Sequence, residues 1–269
     1  MERTKFSDSL LKKINWGAFG LHLASAIGVA IAFGVVNKKA NFDTNLWSYE
    51  ITSISDDDRD IDLVVEPYLQ VGTIGLETLV AVIFFITAMF HLFYATSSFY
   101  TSEVSKGYNR VRWFEYAITS SLMIFVLSII SGVKDFDTVI LLTFMNFFLM
   151  SFGYFFEMTP GKEGKLISIV LGFLMLVVIW SVIFRNFGYR VTEVDRVSKR
   201  KVPVWVYGVL IPMFFWWTSF GIVALYRYIK GGDPRKYEFL YILLSYLSKA
   251  FMGYYLTYGI LREPEPIEE

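Results

Sequence analysis

The chain has 269 residues, 55% of them hydrophobic and 19% aromatic, with a formal net charge of +0 at pH 7. Its mean hydropathy of +0.47 is too high for a soluble domain with an ordinary surface, and the balanced charge gives no electrostatic footprint for nucleic acid. Cysteine is absent and the histidines are only His22 and His91, which excludes disulfides, thiolate metal sites, a cysteine nucleophile and a histidine-rich metal centre.

Apolar runs long enough to cross a bilayer recur along the chain, and seven helices are predicted. After an N-terminal segment, 1–13, the first helix spans 14–36 and carries His22. It is too long for a cleavable signal peptide, and no small-residue cleavage site precedes a soluble domain. An acidic loop follows, with Asp56, Asp57, Asp58, Asp60 and Asp62. A strand-like pattern at 46–54 predicts a small β-hairpin there, in the first extracellular loop. The second helix, 75–98, opens near Glu77 and carries His91. The third, 112–132, begins with Arg112 and Glu115. A short charged turn at Lys134, Asp135 and Asp137 leads to the fourth, 138–159, with Asn146 and Gly153. The fifth, 165–185, holds Gly172 and Trp180. A basic loop is expected over 186–202, with Arg190, Arg196, Lys199, Arg200 and Lys201. The sixth, 203–228, is rich in rings: Phe214, Phe215, Trp216, Trp217 and Phe220. The seventh, 238–261, contains Lys249, and the acidic, proline-containing tail 262–269 reads as disordered. The fold class is thus an all-α, integral membrane bundle of seven helices, forming one domain over 14–261. Basic residues are in slight excess on the N-terminal side, which favours a cytoplasmic N-terminus and an extracellular C-terminus.

Lys249 carries the most chemistry. It is the one charged residue of the apolar stretch 239–260. An ammonium at that depth is costly, and such residues face a bundle interior and serve a function. A lysine escapes the cost by losing its proton or by forming an imine with a bound aldehyde. Ser245 lies four residues earlier, one turn away on the same face, where it can hydrogen-bond a protonated imine; the plain alternative is a small residue at a helix contact. Glu115 is the best counter-charge, because a cation in a dry bundle needs a carboxylate. Its alternative is a local pair with Arg112, three residues away. His22 and His91 can relay protons if they adjoin a titrating group, or can be plain interhelical hydrogen-bonders. The rings of the fifth and sixth helices suit a narrow apolar slot for a polyene, or a lipid-facing aromatic belt.

Several blocks together resemble the heliorhodopsins, seven-helix retinal proteins distantly related to microbial rhodopsins. They are Asn15 with His22 seven residues later; Leu76, Glu77 and Thr78; Met89, Phe90 and His91; the run from Arg112 through Trp113, Phe114 and Glu115 to Tyr116, with Ser120, Ser121, Leu122 and Met123 behind it; Val202, Pro203, Val204, Trp205, Val206, Tyr207 and Gly208; and Leu244, Ser245, Tyr246, Leu247, Ser248 and Lys249. The resemblance implies all-trans retinal bound to Lys249 as a Schiff base, with Glu115 as counterion and Ser245 as its hydrogen-bond partner. It places His22 and His91 in a polar cluster nearby. It lines the polyene with Thr119, Met123, Asn146, Gly153, Trp180, Phe214 and Trp217. It also implies a homodimer in a lipid membrane and the inverted topology with a cytoplasmic N-terminus, and the plasma membrane is the expected location. Three positions depart from the pattern: Thr218 stands for an expected asparagine, Ala224 for a polar residue, and Ile179 for a common proline before Trp180.

The expected function is light sensing without strong ion pumping and without enzymatic activity. Polar groups able to complete a transmembrane relay are few in helices three to seven. The rival expectation is light-driven or light-gated proton conductance, as in some viral members of that family, with Glu115 as lever and Glu193 or Asp195 as external acceptor. A third reading drops retinal and makes the chain a receptor-like or lipid-binding bundle.

Overall fold

A computed structural model describes residues 6–36, 41–54, 61–133, 135–197 and 202–262, with backbone alone for 41–54, 61–74 and 193–197. The expected features at Asp56, Asp57, Asp58, Asp60, Lys134, Lys199, Arg200, Lys201 and the tail 263–269 lie outside the described residues, as do the side chains of Asp62, Glu193, Asp195 and Arg196. The elements in order are α1 (Asp8–Val36), β1 (Asn41–Ile54), β2 (Ile61–Gly75), α2 (Leu76–Thr96), α3 (Ser98–Lys106), α4 (Arg110–Ile130), α5 (Phe136–Met158), α6 (Lys162–Val197), α7 (Val204–Lys230) and α8 (Pro234–Arg262).

Seven of these helices, all but α3, are long and apolar enough to span a membrane. Neighbouring packing runs α1–α2–α4–α5–α6–α7–α8 and back to α1, which closes a ring. The helix α4 is the central post: 72% of its apolar window is buried, against 28% for α1, α5 and α7. Mean hydropathy is lowest in α8, at 1.2, against 2.9 in α6. The polar residues responsible, Ser245, Ser248 and Lys249, are buried inside the ring, so α8 still presents an acceptable face to lipid.

Helix limits differ from those predicted at two places. The first helix begins at Asp8, not at 14, because Ser7 caps it: Leu10 N–H donates to Ser7 Oγ at 3.1 Å. Leu11 is fully buried and Asp8 pairs with Arg235 of α8 at 2.6 Å, so this extra turn is docked. The expected loop over 186–202 is mostly helix, since α6 continues to Val197. No proline interrupts it before Pro203. At 36 residues α6 is about 54 Å long, well beyond the ~30 Å of a hydrocarbon core, so its C-terminal turns project from the bilayer.

The short helix α3 was not foreseen. Ser97 caps its start through Phe99 N–H, and Gly107, at φ 94°, ends it in the left-handed conformation that glycine tolerates. Between α1 and α2, β1 and β2 pair antiparallel, with Asn41 opposite Gly75 and Ile54 opposite Ile61. The strands run directly into α2, and β1 approaches α5. Asp135 accepts from Thr138 N–H at 2.8 Å and starts α5.

Candidate functional site

The third and seventh membrane helices, α4 and α8, bring Glu115 and Lys249 together. Lys249 Nζ donates to Glu115 Oε1 at 3.0 Å and to Ser245 Oγ at 2.7 Å. Both charged side chains are almost wholly buried, at 3% and 1% exposure. Lys249 Nζ also lies 5.1 Å above the Tyr116 ring centre, so a π face supplements the carboxylate. Tyr94 of α2 donates to Glu115 Oε2 at 3.1 Å. Glu115 thus has a partner on each oxygen, which is what a buried carboxylate requires.

The alternative pair of Arg112 with Glu115 does not form. Arg112 turns to the other side of α4, where Nη2 reaches Glu157 Oε1 of α5 at 2.5 Å and Nη1 reaches Glu238 of α8. Glu157 also accepts from Trp113 Nε1 at 2.8 Å, Asn109 N–H at 2.9 Å and Arg227 Nη1 of α7 at 2.7 Å. Arg227 Nη2 further donates to the Gly107 carbonyl, and Asn109 Nδ2 to Glu238 at 2.9 Å. This second cluster balances two guanidinium groups with two carboxylates beneath the N-terminal end of the bundle. Residue reasoning missed Glu157, Glu238, Arg227 and Asn109. Each acid lies at the edge of an apolar run, where sequence alone reads it as solvated.

The histidines meet as well. Their rings stack at 5.4 Å with planes 9° apart. His91 Nδ1 is 2.7 Å from Asn15 Oδ1, and Asn15 Nδ2 contacts the Tyr100 hydroxyl at 3.1 Å. Both nitrogens of His22 and Nε2 of His91 have no hydrogen-bond partner among the described residues.

Lys249, Ser245 and Ser248 border a narrow cavity of about 90 Å³. Its walls are apolar and aromatic: Trp113, Tyr116, Met123, Trp217, Phe220 and Phe173, with Gly153, Gly172 and Gly221 supplied by three different helices. Of the expected lining residues, Met123, Gly153 and Trp217 face this cavity. Thr119, Asn146, Trp180 and Phe214 do not. Asn146 stands behind the wall, where its Oδ1 accepts from Trp217 Nε1 at 3.0 Å. Trp180 packs against that indole, with ring centres 6.0 Å apart, and Phe214 packs against Trp180 at 5.6 Å. Thr119 Oγ1 folds back to the Glu115 carbonyl at 3.0 Å. Spacing on a helix identifies an inward face, but not which of two inward layers a residue occupies. Ala224, one of the departures noted above, is among the residues that line the cavity, so that part of the wall is apolar.

A buried amine with a carboxylate and a hydroxyl, at the border of a slot walled by rings, fits a polyene aldehyde. A family model for heliorhodopsins matches residues 11–261. The chain belongs to the heliorhodopsin family. It is therefore a retinal-binding, light-responsive, seven-helix membrane protein. Solved structures agree on the fold. A light-driven proton pump from Leptosphaeria maculans superposes with a TM-score of 0.66 at 15% identity, over 94% of this chain and 95% of that one. The transmembrane domain of the Salpingoeca rosetta rhodopsin phosphodiesterase gives 0.65 at 15% identity, over 94% and 85%. Exiguobacterium sibiricum rhodopsin gives 0.62 at 14% identity, over 94% and 96%. No curated protein sequence matches the chain.

Proposed function

We propose that this heliorhodopsin is a light sensor in which Lys249 carries all-trans retinal as a Schiff base, Glu115 is the counterion and Ser245 hydrogen-bonds the nitrogen. The observation that carries this reading is Lys249 Nζ held by Glu115 and Ser245 at the border of the aromatic cavity. Retinal, when bound, supplies the light absorption and the change of shape. The protein's own groups do the rest. Glu115 offsets the cost of a buried cation, and Tyr94 keeps its second oxygen occupied. Met123, Gly153 and Trp217 give the chain of the polyene a dry wall. His22 and His91 form the polar cluster that receives a proton when the cation and Glu115 are pulled apart.

Signalling fits better than pumping. Among the described residues, every buried charged side chain lies at the level of Lys249 or toward the N-terminal end of the bundle: Glu103, Arg112, Glu115, Glu157, Glu238 and Lys249. A one-way relay needs carriers on both sides of the switch. A homodimer in the plasma membrane, with the N-terminus cytoplasmic and the C-terminus outside, completes the proposal.

The test is an absorption spectrum of protein purified after expression with all-trans retinal, recorded with and without hydroxylamine. A visible band that hydroxylamine bleaches is expected. A colourless protein would mean that the amine holds no chromophore and would favour a receptor-like or lipid-binding role.

A further inference from the structure

Asn15 is held on three sides, and the arrangement fixes which way its amide points. Nδ2 donates to the Leu11 carbonyl at 2.9 Å and to the Tyr100 hydroxyl at 3.1 Å. A backbone carbonyl can only accept, so the amide nitrogen faces Leu11 and the amide oxygen faces away. That oxygen lies 2.7 Å from His91 Nδ1. An amide oxygen cannot donate either, so Nδ1 of His91 carries the hydrogen. In a neutral imidazole, Nε2 is then the nitrogen with a free lone pair. Nε2 is buried without a hydrogen-bond partner among the described residues, and the ring interacts electrostatically with both Glu115 and Lys249.

The chain of donors continues away from the site. The Tyr100 hydroxyl, which accepts from Asn15, also feels the charge of Glu238. Burial, reinforced by the charge of Glu238, pushes the Tyr100 phenol well above its ordinary range, so it stays a donor. Glu238 is itself fixed by Arg112 and Asn109. Two successive donors, on His91 and Asn15, therefore lead to the Tyr100 hydroxyl. Aligned hydrogen bonds polarise one another and hold an imidazole in one orientation and one tautomer. Among the described residues, neither nitrogen of the stacked neighbour His22 has such a partner.

We infer that Asn15 and Tyr100 are positioning residues that hold His91 with its proton on Nδ1, making Nε2 the atom that takes up the proton displaced from the Lys249 site in the light. The inference rests on the reading of Lys249 and Glu115 given above. Nε2 gains a proton and the ring becomes an imidazolium, while the Nδ1–H bond to Asn15 is kept. The same proton returns in the dark, so the total is unchanged and nothing is oxidised or reduced. Groups facing the histidine pair come from every adjoining helix: Asn15 on α1, Tyr94 on α2, Glu115 on α4, and Tyr246 and Lys249 on α8.

The experiment is ¹⁵N NMR of histidine-labelled protein, both free of retinal and loaded with it. There are only two histidines, and His91 is assigned by the signal missing in His91→Gln. The expected result is the Nδ1–H tautomer of His91 in the native chain and in Asn15→Asp, which keeps the acceptor, and the Nε2–H form in Asn15→Leu. In the loaded protein, Asn15→Leu should slow light-induced proton uptake by His91 roughly 100-fold, the order expected when a general base presents the wrong nitrogen. Should Asn15→Leu fail to fold, Tyr100→Phe removes the next link and should mix the two tautomers. An Nε2–H tautomer in the native chain, or an unchanged tautomer in both variants, would overturn the inference. Absence of colour would instead refute the retinal reading, while the retinal-free spectrum would still decide the tautomer.

Discussion

Lys249 without Glu115 would be a stranded charge, and Glu115 without Lys249 nearly so. That mutual dependence gives two separable outcomes. Lys249→Ala should abolish visible absorption while the bundle still folds, read by circular dichroism and size-exclusion elution; retained colour would refute the attachment point. Glu115→Gln should move absorption to longer wavelength, because the cation loses its ionised partner and the ground state is less stabilised. An unchanged band would assign neutralisation to another anion. In retinal-free protein the same substitution leaves Lys249 unpaired, at a cost of about 3–5 kcal/mol, measurable as a lowered Tm. Lys249, Glu115 and Ser245 were legible in the sequence because charge is rare inside apolar runs. The Arg112 cluster was not. Glu157 and Glu238 stand at helix ends, where a carboxylate can equally face water, and only the fold turns them inward onto Arg112.

Helices in this bundle are tied by a few close approaches. A Cβ built on Gly153 of α5 would fall 2.0 Å from the Trp113 ring, which itself hydrogen-bonds Glu157. Gly153→Ala should therefore displace the indole, cost about 1–3 kcal/mol by overpacking, and shift the absorption band. Equal stability and an identical spectrum would show that the ring can move freely. Arg227 ties the end of α7 to Glu157 of α5 and to the carbonyl of Gly107 at the end of α3. Arg227→Ala leaves Glu157 with Arg112, so the loss should be limited to about 1–3 kcal/mol. It should appear as faster hydrogen exchange in the last turns of α7; protection unchanged from the native chain would show that other contacts hold that end. Neither tie is visible in sequence. Glycine spacing marks where helices can approach, not which ring fills the gap. The helical stretch 186–197 was missed for another reason: its polar, charged composition matches a loop, whereas no proline breaks α6 before Pro203 and the helix continues.

Across the whole molecule, one asymmetry bears on what light can accomplish. The buried charges are gathered at one end and the middle of the bundle, and the opposite half offers none among the described residues. Whole-cell recording under illumination should therefore give no steady photocurrent. A reproducible current lost in Glu115→Gln would establish proton conduction. Likeness of fold does not decide this, since the superposed structures include a proton pump at only 15% identity.

Composition and hydrophobic run length determined by themselves that the chain crosses a membrane with seven helices, because a backbone in lipid must satisfy its own hydrogen bonds and each span needs its quota of apolar residues. The same logic singled out Lys249 and its need for an acid. Glu115 was the acid the sequence favoured, but tertiary structure alone decided whether it pairs with Lys249 or with Arg112, since Glu115 and Arg112 share a helix and only the position of α8 and α5 around α4 separates their partners. It also brought Asn15, Tyr100 and His91 into one hydrogen-bonded row, residues far apart in the chain that meet only when the ring of helices closes.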